Sequence, residues 1–173
     1  MPITPKQTLR YYKKRKGIPK VIYKQIDNEI IYGGKAVNIR VPRELKRPTD
    51  DWDLYVKEAR KEAIKTERAL DRHIGFNAFE TLPGQHPGTY RVTSRATGKV
   101  RADYTKPTNT IPYDVIRNKK YIQVEAMKKQ LKKTLNDPEQ AYAHAKLQDS
   151  LNRLILHEKM VKVRKAKKVR RFW

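Results

Sequence analysis

The sequence predicts an α+β domain: a small mixed sheet flanked by helices, with a C-terminal helical hairpin and basic tails. Three observations lead there. Short runs of strand formers alternate with amphipathic stretches between residues 18 and 107, one of the strands alternates acid with apolar side chain, and from Pro107 the strand signals give way to long helical patterns. With 173 residues the chain can bury one domain core and little more. Its 41 Lys and Arg against 18 Asp and Glu leave a formal charge of +23, which argues for a polyanionic partner. Cysteine is absent, which excludes disulfides, thiolate catalysis and cysteine zinc sites. No apolar run is long enough for a membrane span and no apolar segment follows the basic N-terminus, so an intracellular rather than a secreted protein is expected.

The elements follow in order. Residues 4–16 read as a short basic helix in which Tyr11 and Tyr12 are interleaved with Arg10, Lys13, Lys14, Arg15 and Lys16. Ile18, Val21, Ile22 and Ile26 recur at helical spacing behind Pro19, which suits a first helical turn. Glu29 to Tyr32 reads as a short strand running into Gly33-Gly34-Lys35 and a helical turn or two over residues 36–39. Residues 51–56 are a strand, and residues 57–74 an amphipathic helix stopped by Gly75. Residues 76–79 suggest one more strand, residues 82–88 a Pro- and Gly-rich loop, and residues 90–94 and 99–105 a hairpin closed by Arg95-Ala96-Thr97-Gly98. Residues 107–112 form a linker before two helices, 113–135 and 138–163, the second capped by Asp137 with Pro138 at its first position. The expected organisation is a basic arm (1–17), a core (18–107), a helical extension (108–161) and a basic tail (162–173).

Chemistry concentrates at the acids. Asp50, Asp51 and Asp53 crowd three carboxylates into four positions, where like charges raise one another's pKa unless a cation opposes them. On a strand Asp51, Asp53 and Tyr55 share one face while Trp52, Leu54 and Val56 point to a core. A solvated turn capping the next helix is the alternative. Asp103 falls mid-strand, opposite in facing to Ala102 and Tyr104, so it either addresses the same site or pairs with Arg101 or Arg91. Gly33 and Gly34, between strand and helix, either make a plain tight turn or bring free N–H groups and the helix dipole to a phosphate, with Lys35 adding charge. The four histidines, His73, His86, His144 and His157, show no metal or dyad spacing and are read as non-catalytic.

Together these residues resemble the nucleotidyltransferase superfamily of polymerase beta, poly(A) polymerases and CCA-adding enzymes, in a minimal version. Tyr32-Gly33-Gly34 matches the family's hydrophobic-Gly-Gly/Ser element, Asp51-Trp52-Asp53-Leu54 its acid-hydrophobic-acid-hydrophobic strand, and Ala102-Asp103-Tyr104 its third acid; the likeness spans residues 18–107. Two departures stand out: Gly34 replaces the serine of many members, and the longer interval to Asp51 implies an enlarged loop over residues 41–48. The resemblance implies a nucleotidyltransferase-like mixed sheet and two-metal transfer of a nucleotidyl group from a nucleoside triphosphate to a hydroxyl, on a nucleic-acid end. It casts Asp51, Asp53 and Asp103 as catalytic metal ligands for Mg2+ or Mn2+, and Gly33, Gly34 and Lys35 as the nucleotide grip. Few residues follow the core, so templated synthesis is not expected.

The tail has seven basic residues in twelve, ending in Phe172 and Trp173. Arg164, Lys165, Lys167, Lys168, Arg170 and Arg171, with Lys13, Lys14, Arg15 and Lys16 at the other end, are candidate contacts to RNA or DNA phosphates; an anionic membrane, an import receptor or plain solvation are the alternatives for the tail. The two C-terminal helices either complete the core or bind a protein partner. The other functional class is a non-catalytic nucleic-acid-binding structural protein, a ribonucleoprotein or virion component that keeps the fold. The expected location is the cytoplasm, the nucleus or a virion.

Overall fold

The computed structural model describes residues 3–169, and side chains through residue 163. Helix α1 (Pro5–Lys14) starts at a capping box in which Thr4 and Gln7 satisfy each other's backbone N–H groups. It is not a free arm. Tyr11 is fully buried, its hydroxyl accepts from Arg101 at 2.7 Å, and Lys14 Nζ donates to the His73 carbonyl at 3.0 Å. A short 3-10 turn leads into α2 (Ile18–Gln25), which buries Ile18 and Ile22.

Next come β1 (Ile30–Tyr32), α3 (Gly33–Arg40), β2 (Trp52–Tyr55) and α4 (Ala59–Ile74), which ends on Gly75 in the left-handed region. Strand β3 (Phe79–Pro83) starts at the end of the stretch expected as a strand and extends into the expected loop; it lies at the edge of the sheet, where Pro83 breaks no ladder. The hairpin is present as β4 (Thr89–Ser94) and β5 (Val100–Thr105).

Residues 113–122 differ from the helix expected there. They form a second hairpin, β6 (Tyr113–Ile116) and β7 (Lys119–Ile122), joined by Arg117 and Asn118, both at positive φ. The β-branched and aromatic side chains here gain more from sheet pairing than from a helix, because β7 docks parallel to β1 and buries Tyr121 and Ile122. The single sheet runs β3-β4-β5-β2-β1-β7-β6, with β2–β5 and β1–β7 parallel and the other pairs antiparallel, so it extends past residue 107.

Helix α5 (Val124–Leu135) follows, then a 3-10 turn (Pro138–Ala143) capped by Asp137, then α6 (His144–Val169). The last helix therefore starts six residues later than Pro138. Leu151 and Leu154 of this helix are buried, whereas Tyr142 in the preceding turn is 69% exposed. Strand alternation sorts the faces: Leu54, Ala102 and Tyr104 point to the side covered by α2 and α4, where the Tyr104 hydroxyl meets Thr66 at 2.6 Å. Asp53, Tyr55 and Thr105 point to the other side, under α5 and α6. Among the described residues no helix is long and apolar enough to cross a membrane.

Candidate active site

The parallel pairing of β2 and β5 sets Asp53 directly opposite Asp103 in register, with Asp51 one residue ahead of β2. Buried side chains alternate with half-buried ones along both strands, which puts the two acids on the same face. The connection from β1 to α3 closes over them. Gly33 has φ +61°, and a Cβ there would overlap the Asp53 carboxylate, so only glycine permits this approach. A Cβ on Gly34 would press on Thr49. Asp53 thus lies against the N-terminus of α3, where no side chain caps the helix and a backbone hydrogen bond from Gly34 reaches its carboxylate.

Burial is the largest influence on Asp53, and Asp51 and Asp103 add repulsion; together they push its pKa up to about 7 against the pull of Lys146 and Gly34. Asp103 is also raised, by burial first and then Asp51, while Arg91 pulls it down. Arg91 Nε stands 3.4 Å from Asp103 Oδ1, close enough for an ion pair. Neither atom finds an aligned hydrogen bond, although both are buried. The cross-strand pairing with Arg91 is therefore present, while Arg101 turns instead to Tyr11. Among the described residues no three His, Asp or Glu side chains are gathered tightly enough to cage a metal ion.

Lys35 does not line the cleft beside Asp53. Its ammonium donates to the Thr49 carbonyl at 2.7 Å and lies 4.9 Å from the Trp52 ring, and burial lowers its pKa against the pull of Asp51, Asp50 and Asp53.

The cleft itself is a cavity of about 690 Å3 between the Gly33-Gly34 turn, Asp53 and the underside of α5 and α6. Tyr32 and Tyr55 stack on its floor with ring centroids 4.0 Å apart, and Thr105 accepts or donates a hydrogen bond to the Tyr32 hydroxyl at 3.0 Å. Burial raises the pKa of both phenols, which keeps them neutral. The roof brings Gln130 and Lys133 from α5 and Lys146 from α6. None of these was found in the sequence, because no local spacing reports that α5 and α6 fold back over the sheet. His86, read there as non-catalytic, borders the cleft. Tyr142 donates to Gln85 at 3.0 Å, joining the roof to the loop before β4.

The enlarged loop has a structural role. Asn38 exchanges two hydrogen bonds with the Arg47 backbone, Arg47 pairs with Asp149 at 2.8 Å, and the nearly buried Arg153 reaches Asn38 and the Leu45 carbonyl. These contacts fasten α6 to α3 and hence fix the roof over the cleft. Lys13, Lys14, Arg15 and Lys16 are exposed at the end of α1, where Arg15 lies over the Tyr12 ring. The side chains of Arg164, Lys165, Lys167 and Lys168, and Arg170 and Arg171 altogether, lie outside the described residues.

No protein-family model matches the chain, and no curated protein matches it in sequence. Among solved structures it is similar to the Megavirus polyadenylate synthase, with a TM-score of 0.70 and 19% identity over 85% of this chain. It spans 32% of that protein, about a third of its length. A protein from Helicobacter pylori, JHP933, aligns over 86% of this chain and 66% of its own at 14% identity and a TM-score of 0.47. At 19% identity the first likeness is one of fold: the seven-stranded mixed sheet flanked by helices is an α+β architecture, consistent with a nucleotidyltransferase-like fold.

Proposed function

We propose that the chain transfers a nucleotidyl group from a nucleoside triphosphate to a hydroxyl, on a nucleic-acid end. The observation that carries this is the register: Asp53 and Asp103 face each other on adjacent strands, beside the glycine turn and cleft, in a fold like that of a polyadenylate synthase. Fold alone does not make an enzyme, so the weight rests on these residues.

In donor type, though not gathered into a cage, the set fits a hard divalent cation such as Mg2+ or Mn2+. All the donors are carboxylate oxygens, and an added positive charge relieves the repulsion from Asp51 and Asp103 that adds to burial in lifting Asp53 to about 7. Asp51, Asp53 and Asp103 are the residues that would hold it, and when bound it supplies charge neutralisation for the attacking and leaving oxygens. The chain's own groups do the positioning. Gly33 and Gly34 bring the uncapped start of α3 against Asp53 and Thr49, so that its free N–H groups would meet a triphosphate held beside the acids, and Lys133 and Lys146 place positive potential along the cleft. The neutral phenols of Tyr32 and Tyr55 keep one wall apolar and free of further negative charge.

One observation favours the second reading, a non-catalytic nucleic-acid-binding protein: Arg91 already holds Asp103, as a neutralised relic site would have it. Melting temperature at pH 8 separates the two. On the first reading Mg2+ or Mn2+ raises it by several degrees in the wild type, corresponding to about 2.7 kcal/mol at a hundredfold excess over the dissociation constant, and not in Asp53→Asn. Identical cation responses in the two proteins would support the scaffold.

A further inference from the structure

On the face of the sheet away from the cleft, α4 borders a groove of about 870 Å3. Lys57, just before the helix, and Lys61, Lys65, Arg68 and Arg72 fall four, four, three and four residues apart along its rim. That is one cation per helical turn, a rise of roughly 5–6 Å at each step. Arg60 and Lys106 complete seven basic groups, against Glu58 and Glu62 alone. These two acids pair with Lys61 at 2.8 Å and Lys65 at 3.3 Å, while among the described residues Lys57, Arg60, Arg68, Arg72 and Lys106 make no ion pair. Tyr90 lines the groove, and a second hollow of about 630 Å3 continues past it to Arg95, sharing Arg60, Ile64 and Arg68. At the other end Lys106 N–H donates to the Gly88 carbonyl at 3.0 Å, and the preceding residue, Thr105, borders the cleft of the acids.

We propose that this groove is the track of a single-stranded nucleic acid, its phosphates held by the α4 cations and a base resting on Tyr90. Two features select this partner. The cations recur along one line, as a polyanion's charges do, and the half-buried Tyr90 ring that lines the groove suits stacking, which every base offers. A bilayer would need apolar side chains standing out beyond the cations, and here Ile64 and Tyr90 are half-buried between them. The proposal deepens the function given above by naming the path of the acceptor strand, and rests on that function for this role.

The test uses the full chain and a short fluorescein-labelled oligouridylate, followed by anisotropy across a salt series. Arg60→Gln, Arg68→Gln and Arg72→Gln are combined, beside a control combining Lys20→Gln, Lys24→Gln and Lys46→Gln, which are equally exposed and outside the groove. The groove variant is expected to lower the slope of log affinity against log salt by up to roughly 2, at about 0.7 per single-strand contact, with the control unchanged. Tyr90→Leu should weaken binding about fivefold or more with the salt slope intact. All substitutions on α4 are at exposed positions, and melting curves confirm folding. Equal losses in groove and control variants, unchanged binding in the groove variant, or loss of binding to phosphatidylserine vesicles without loss of RNA binding would each overturn the proposal. Nucleotide incorporation is read separately: a wild type that uses the groove but adds no nucleotide leaves the groove standing and sinks the transferase reading.

Discussion

Asp53 carries the sharpest consequence at the scale of a residue. An ordinary Asp titrates near 3.8, and in the folded chain the same group is pushed to about 7. Its folded pKa is raised, so its contribution to stability is fully present below about pH 4 and is lost as pH rises through about 7. Asp103 is raised too, and its effect has the same sign. The cation-free wild type should therefore lose stability as pH rises from about 4 to about 7 and level off above that, and Asp53→Asn should flatten that fall and exceed the wild type at pH 8 by about 2 kcal/mol. Denaturant unfolding across this range in a chelator checks it. A variant less stable than wild type at pH 8 would mean that the carboxylate is ionised and well compensated, in conflict with its crowding by Asp51 and Asp103.

The β6–β7 hairpin decides matters at the scale of an element. Arg117 and Asn118 stand at φ 51° and 59°, a conformation that glycine adopts at less cost than either. Asn118→Gly should stabilise the protein by about 0.5 kcal/mol, the relief of backbone strain outweighing the extra freedom of the unfolded chain. Were residues 113–135 the continuous helix that their sequence suggests, the same change would destabilise by a few tenths of a kcal/mol, so the sign of the shift in urea midpoint discriminates. The hairpin was hidden in the sequence for a physical reason: Arg-Asn is not a usual two-residue turn, and β7 finds its partner β1 about 90 residues earlier. By contrast α3, β2, α4 and the β4–β5 hairpin were legible, because periodicity, Gly33-Gly34 and Gly75 are local signals. So was the shared facing of Asp53 and Asp103, which strand alternation alone dictates. The cleft's roof was not, since Lys146 and Gln130 reach it through the docking of α5 and α6, which the Asn38, Arg47, Asp149 and Arg153 contacts enforce.

The whole molecule sets crowded acids inside a chain of net charge +23. That imbalance favours polyanions at long range, while the acids stay within one small region between the strands and α3. Such an arrangement is wasteful in a mere scaffold, where neutral side chains at 51, 53 and 103 would bind phosphate better. The proposed transferase would use both features, attraction spread over the surface and carboxylates crowded where the metal would be held. The direct test is incorporation of labelled nucleotide into RNA by the full chain in Mg2+ or Mn2+, with Asp53→Asn beside it. The account predicts extension by the wild type and none by the variant, with RNA affinity equal or slightly higher once the negative charge is gone. Equal extension by both proteins, or none by the wild type with any nucleotide on RNA or DNA, would contradict it.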